Sequence, residues 1–199
     1  KFIIYGANGY TGQLIAEQAA NFGLKPVLAG RSESKIKPMA EKLGLPYEIY
    51  DVDNKAALDE SLSDATVVLH CAGPFKFTAK QMMQACIRTQ THYLDITGEI
   101  EIFELAHYLD AKAKEAGITL MPGVGFDVVP TDCLAKYLKE LMPDASAIQL
   151  GFVGMGKAGF SIGTASTMVV NLGKGSAERV NGKIIVVPVG HKTKWMSYN

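Results

Sequence analysis

The feature that most limits what this chain can fold into is a repeated alternation of short β-like runs with longer segments of helical period. Residues 2–5, 26–29, 47–50, 66–70, 92–94 and 118–121 read as strands. Residues 11–22, 33–43, 56–62, 79–88 and 100–115 read as the helices between them, and in the first of these Leu14, Ile15, Ala19 and Phe22 recur at helical spacing. A further helix over 131–141 stops at Pro143. Strands that are apolar along their length are buried on both faces, and strands separated by helices run parallel. Right-handed crossovers then lead to an α/β fold with a doubly wound parallel sheet.

The pattern changes after Pro143. Residues 147–153 read as a longer strand, 154–163 are glycine-rich, and 164–172 read as a helix. Residues 179–189 carry Asn181-Gly182, a hairpin-turn dipeptide, ahead of the apolar run at 184–187. The expected organisation is a first domain over 1–143 and, over 144–199, the start of a second, mixed α/β domain that is incomplete at Asn199. Lys1 lies directly against an apolar strand, which suggests a chain that has lost a short N-terminal stretch.

With 20 basic and 20 acidic residues the formal net charge is zero, so the chain lacks the field that draws nucleic acid or an anionic membrane surface. Its apolar runs are too short to insert in a bilayer. The cysteines, Cys71, Cys86 and Cys133, are too far apart for a CxxC pair or a zinc knuckle, and no metal site is expected. An odd cysteine count with no visible secretion signal fits a reducing cytoplasm, the expected location.

Gly6-Ala7-Asn8-Gly9-Tyr10-Thr11-Gly12 follows the first strand and opens the first helix. This GxxGxxG spacing is a variant of the dinucleotide fingerprint of Rossmann domains. Small residues let the backbone turn sharply and approach a pyrophosphate, while the helix N-terminus presents free N–H groups to it. Gly6, Asn8, Gly9, Tyr10, Thr11 and Gly12 are therefore cofactor-site candidates, with Gly9 as the central glycine. An NAD site places an acidic residue about 20 positions on. Here no Asp or Glu occurs between Glu17 and Glu33, and the second strand ends in Gly30-Arg31-Ser32. Arg31 can fork onto a 2′-phosphate and Ser32 can donate to it, which selects NADP. Asp51, after the third strand, either contacts the adenine side or caps a helix. Cys71, Ala72, Gly73, Pro74 and Phe75, after the fourth strand, are expected at the nicotinamide ribose.

The segments 6–12, 29–32 (Ala-Gly-Arg-Ser), 71–75, 93–99 (Tyr-Leu-Asp-Ile-Thr-Gly-Glu) and 122–132 (Pro-Gly-Val-Gly-Phe-Asp-Val-Val-Pro-Thr-Asp) occur in that order. Together they resemble the saccharopine dehydrogenase-like oxidoreductases, a group that includes trans-acting enoyl reductases. The resemblance implies a Rossmann domain followed by a mixed α/β domain that helps build a substrate cleft.

Hydride transfer is the cofactor's chemistry, and the protein positions a substrate and handles a proton. Loops 95–99 and 122–127 follow strands and offer Asp95, Thr97, Glu99 and Asp127, of which Thr97 and Asp127 are the catalytic candidates. Thr97 and Glu99 otherwise cap the helix that starts at Ile100, and Asp127 otherwise braces a glycine turn. Tyr108 and Lys112 form a YxxxK match, read as structural because i,i+4 neighbours on a helix touch anyway. The loops after strands four, five and six should share one edge of the sheet with the cofactor, roofed by 154–163. The expected function is an NADP-dependent oxidoreductase acting on a small-molecule substrate, with a homodimer through the second domain. The alternatives are a non-catalytic NADP-binding sensor or interaction module, or an oligomerisation scaffold, on the same fold.

Overall fold

The computed structural model describes residues 1–126, 128–151 and 162–195, apart from the side chains of Ala20 and Ile162. The chain divides into two units, Lys1–Gly159 and Phe160–Asn199.

The first unit is built on six parallel strands: β1 (Phe2–Tyr5), β2 (Val27–Gly30), β3 (Tyr47–Ile49), β4 (Val67–His70), β5 (His92–Asp95) and β6 (Leu120–Met121). Their order across the sheet is β3-β2-β1-β4-β5-β6. The connecting helices are α1 (Tyr10–Ala19), α2 (Glu33–Leu43), α3 (Lys55–Leu62), α4 (Ala79–Thr89), α5 (Ile100–Tyr108), α6 (Asp110–Glu115) and α7 (Val129–Leu141). This is the doubly wound arrangement of a Rossmann domain, and its order reverses between β1 and β4. Among the described residues, no helix is long and apolar enough to cross a membrane.

Alternation along the strands sorts side chains into two cores. Ile4 and Leu28 face Ala16 of α1 and Ile36 and Ala40 of α2. Ile3, Tyr5, Val68 and Tyr93 face the other way, toward Leu58 and Leu62 of α3, Met82 and Met83 of α4, and Ile102 and Ala106 of α5. Met82 and Met83 are fully buried and fill this second core.

Two expectations need correction. Residues 147–151 form no strand, and 152–153 lie outside the described residues. A strand needs a hydrogen-bonded neighbour; the six-stranded sheet ends at β6, and Ile148 and Leu150 are exposed. The helix expected over 100–115 is two helices that meet at Leu109, where ψ is −2° and the side chain stays buried.

In the second unit, α8 (Ile162–Asn171) precedes the antiparallel pair β7 (Ser176–Val180) and β8 (Lys183–Val187). Asn181 and Gly182 turn between them at φ 50° and 80°. Two successive positive φ values are what a two-residue hairpin requires, and Asn-Gly supplies them at least cost.

The second core of the first unit holds a buried histidine. His70 ends β4, fully enclosed, with Tyr5, Phe75 and Tyr93 ring centroids 5.4 to 6.1 Å away. The Thr78 hydroxyl donates to the Ala72 carbonyl (2.8 Å) and lies 2.8 Å from His70 Nε2. Thr78 has one proton and gives it to Ala72, so Nε2 carries a proton and donates to Thr78. Nδ1 is then a bare acceptor, with no hydrogen-bond partner among the described residues. Burial pushes the imidazole down to about 3, from an ordinary value of 6.5, so the folded state holds it neutral. The unfolded chain takes up a proton as pH falls below 6.5 and the folded chain does not, so stability is full above that value and declines toward about 3. Wild-type protein should lose roughly 2 kcal/mol between about pH 7 and about pH 5 through this group alone. Urea unfolding at both pH values should show a loss smaller by that amount for His70→Phe, and an identical pH dependence would disprove the assignment.

Candidate functional site

At the C-terminal edge of the sheet, the turn after β1 meets the turn after β4. Gly6 has φ +78°, and a Cβ built on it would lie 2.7 Å from the Ala72 amide nitrogen and 2.9 Å from the Ala72 Cα. A Cβ on Gly12, in the first turn of α1, would lie 2.6 Å from the Gly6 carbonyl oxygen. Both contacts are with backbone, which cannot swing aside. Gly9 is looser, since its Cβ would meet the Gly6 carbonyl at 3.3 Å and the Cys71 carbonyl at 3.8 Å. Its N–H donates to Gly6 O (2.9 Å), and its carbonyl accepts from Gln13 N, which starts the helix. The first amides of α1 have no acceptor within the helix and point out of its end. Tyr10 and Thr11 lie in that first turn, with Tyr10 well exposed.

Asn8 projects over the end of β2, where its Oδ1 would lie 3.4 Å from a Cβ on Gly30. Arg31 follows, exposed. Ser32 is the N-cap of α2, yet its side chain makes no cap bond there and lies 3.3 Å from the Ser34 hydroxyl. The end of β2 thus presents a guanidinium, hydroxyls and a helix N-terminus together. After β3, Asp51 Oδ1 accepts from the Asp53 amide (3.1 Å), so it braces the turn. The cap of α3 is Asn54, whose side chain accepts from Ala57 N.

The loop after β4 is anchored along its length. Burial pushes the Cys71 thiol up to about 12, so it stays protonated, and its amide donates to Tyr5 O at 2.7 Å. Ala72 O is held by Thr78. Gly73 is exposed and joined to Pro74 by a cis peptide bond. The Phe75 ring turns inward, edge-on to His70 at 5.4 Å. The Phe75 and Lys76 amides donate to the two carboxylate oxygens of Glu99, at 2.9 and 3.0 Å.

Loops 95–99 and 122–126 leave the same edge, because β5 and β6 run parallel to β1 and β4. Asp95 joins them. It is fully buried; Oδ1 accepts from Thr97 N and Gly123 N, both at 2.9 Å, and Oδ2 accepts from the Tyr93 hydroxyl at 2.6 Å. Burial pushes its pKa up, and the three hydrogen bonds to its charged form oppose the shift. Gly125 packs so tightly on the 95–97 turn that a Cβ there would lie 2.9 Å from Ile96 Cβ. Thr97 is 1 % exposed and its hydroxyl oxygen accepts from Glu99 N (3.0 Å), leaving the hydroxyl proton to donate. Asp127, like residues 154–161 of the expected roof, lies outside the described residues. Tyr108 ends α5, and Lys112 belongs to α6 beyond the break at Leu109.

The residues expected around a cofactor therefore lie on the turns after β1, β2, β3 and β4, at one edge of the sheet, and the strand order reverses between β1 and β4. Residues 2–121 match the family model of the saccharopine dehydrogenase NADP binding domain. The chain belongs to the saccharopine dehydrogenase-like oxidoreductase family. A saccharopine dehydrogenase-like oxidoreductase of Bos taurus is 35% identical over 160 residues, covering 70% of this chain and 37% of that protein. A trans-acting enoyl reductase of Mycobacterium ulcerans is 29% identical over 149 residues, covering 69% of this chain and 35% of its own. Among solved structures, the apo saccharopine dehydrogenase (L-Glu forming) of Saccharomyces cerevisiae is similar at TM-score 0.61 and 25% identity, covering 71% of this chain and 31% of its own. The chain thus spans little more than a third of the length of these two relatives.

The family's domain binds NADP, and the residues here fit that cofactor: a backbone cradle at Gly6 and Gly12, a free helix end beside it, and an exposed Arg31 next to the Ser32 hydroxyl, which makes no cap bond to α2. Sequence reasoning missed the Glu99 clasp, the Asp95 hub and the His70–Thr78–Ala72 relay. One signal was available, since Tyr93 and Asp95 are two apart on a strand and so share a face.

The glycines should separate by function. Gly6→Ala and Gly12→Ala should each destabilise the fold by roughly 1–3 kcal/mol, because a methyl is driven into backbone. Gly9→Ala should cost less than about 1 kcal/mol. Urea midpoints for the three variants would check this, and equal losses at all three would show that the contacts do not set the packing.

Proposed function

We propose that this chain is the cofactor-binding part of an NADP-dependent oxidoreductase that transfers a hydride between NADP(H) and a small organic substrate. The observation that supports the reading most is the junction at the strand-order reversal, where Gly6 lies against the Ala72 backbone beside the amide end of α1. A pyrophosphate fits there because it needs close backbone approach and free N–H donors. Arg31 and Ser32 hold the 2′-phosphate, and Asp51 lies on the adenine side. Cys71, Ala72, Gly73, Pro74 and Phe75 form the wall at the nicotinamide end, with Phe75 acting through its backbone, since its ring is buried.

When bound, the cofactor supplies or accepts the hydride. The protein's contribution is position. Asp95 locks the 95–99 and 122–126 loops together at the edge where the substrate would lie. Thr97, whose hydroxyl proton has no acceptor among the described residues, and Asp127 are the residues proposed on the substrate side. An oxidoreductase of the bovine or mycobacterial kind, to which the chain is related, is consistent with this division of labour.

Cofactor choice tests the reading. Wild-type protein should bind NADPH more tightly than NADH in a fluorescence titration. Arg31→Ala should lose roughly 1–3 kcal/mol of NADPH binding, the worth of a charged hydrogen-bonded contact, and leave NADH almost unchanged. Equal affinity of the wild-type chain for the two would overturn the assignment of Arg31.

A further inference from the structure

We infer that Glu99 is a positioning residue for the nicotinamide end of the site: its carboxylate clasps the backbone of the loop after β4 and sets how that loop meets the ring. The inference rests on the proposed placement of residues 71–75 beside the nicotinamide.

Glu99 occupies the N-cap position of α5 but makes no side-chain cap bond to its own helix. It reaches instead to a neighbouring loop, where Oε1 accepts from Phe75 N at 2.9 Å and Oε2 from Lys76 N at 3.0 Å. These two amides begin the short 3-10 turn Phe75–Phe77, so the carboxylate caps an element 23 and 24 residues away in sequence. One oxygen serves each amide, which fixes the orientation as well as the distance of the turn.

The loop is thereby held at both ends. Ala72 O is bound by Thr78, whose hydroxyl is set by His70, and the Phe75 and Lys76 amides are bound by Glu99. Gly73 and Pro74 lie between these anchors, and Gly73 is exposed. A loop pinned at both ends is already ordered when a ligand arrives, so less entropy is lost on binding. Both Glu99 oxygens accept from backbone donors, so the part argued for it is geometric. The turn that supports it is defined as well, since Thr97 accepts from Glu99 N and donates its own amide to Asp95.

The test separates the two halves of the cofactor. NADPH and adenosine 2′,5′-bisphosphate, which lacks the nicotinamide, are titrated calorimetrically into the whole chain, as wild type, Glu99→Ala and Glu99→Gln. Amide exchange at Phe75 and Lys76 is followed in the same proteins. Glu99→Ala should speed exchange at both amides and weaken NADPH about tenfold, with the bisphosphate changed by less than about twofold. Glu99→Gln keeps one acceptor oxygen and should fall between. Unchanged exchange, equal weakening of both ligands, or unchanged NADPH affinity would each overturn the role of Glu99 while leaving the cofactor reading intact. A wild-type chain that binds neither ligand would remove the cofactor reading, and the inference with it.

Discussion

The structure depends on the contact between the turn after β1 and the backbone after β4. These strands are neighbours, but their helices leave in opposite directions: α1 packs with Ile4 and Leu28 on one face, α4 with Ile3 and Val68 on the other. Divergence of that kind opens a crevice at the sheet edge. Before the chains part they must pass within backbone contact, and Gly6 against Ala72 leaves no room for a Cβ. Gly12 then sets α1 down on the Gly6 carbonyl. The strand order, the seating of the first helix and the close approach of the two turns are therefore one constraint, met by two residues without side chains.

Asp95 shows a different balance. A buried carboxylate costs several kcal/mol in lost hydration, and each charged hydrogen bond returns about 1.5–3 kcal/mol. Its pKa is raised despite three donors, so desolvation outweighs the bonds. The folded chain binds this proton more readily than the unfolded one, and stability falls as pH rises from the usual carboxylate value of 3.8 through the raised one. Ionising Asp95 therefore costs the fold stability relative to its protonated form. What it supplies is local geometry, with Tyr93, Thr97 and Gly123 all aimed at one group. Proteins accept such costs where a site must be held in one arrangement.

Much of this was legible in the sequence because its determinants are local. Apolar runs such as 66–70 can satisfy themselves only inside a sheet, and Asn181-Gly182 specifies its turn through backbone preference alone. The tight turn at Gly6 and Gly12 was readable because its glycines follow a strand and open a helix. Residues 147–151 misled because an apolar run reads the same whether or not a partner strand exists. Ending the fifth strand at Leu94 hid Asp95 as its last residue, and with it the shared face with Tyr93. The Glu99 clasp carries no local signal, since its partners lie 23 and 24 residues upstream and are backbone amides that any residue offers.

The polar atoms of the fifth strand's loop are spent almost wholly on backbone. Asp95 takes amides from its own loop and from the loop after β6; Glu99 takes amides from the loop after β4; Thr97 takes the Glu99 amide. Side chains used this way relieve N–H groups that irregular backbone would otherwise leave unpaired. They also tie three consecutive strand ends to one another, so none of the loops can shift without breaking bonds in the next. A crevice walled by loops ordinarily gives up order to gain reach. Here the β5 loop ties its two neighbours into one hydrogen-bonded unit, so short loops hold a fixed geometry that would otherwise need a rigid element beneath it.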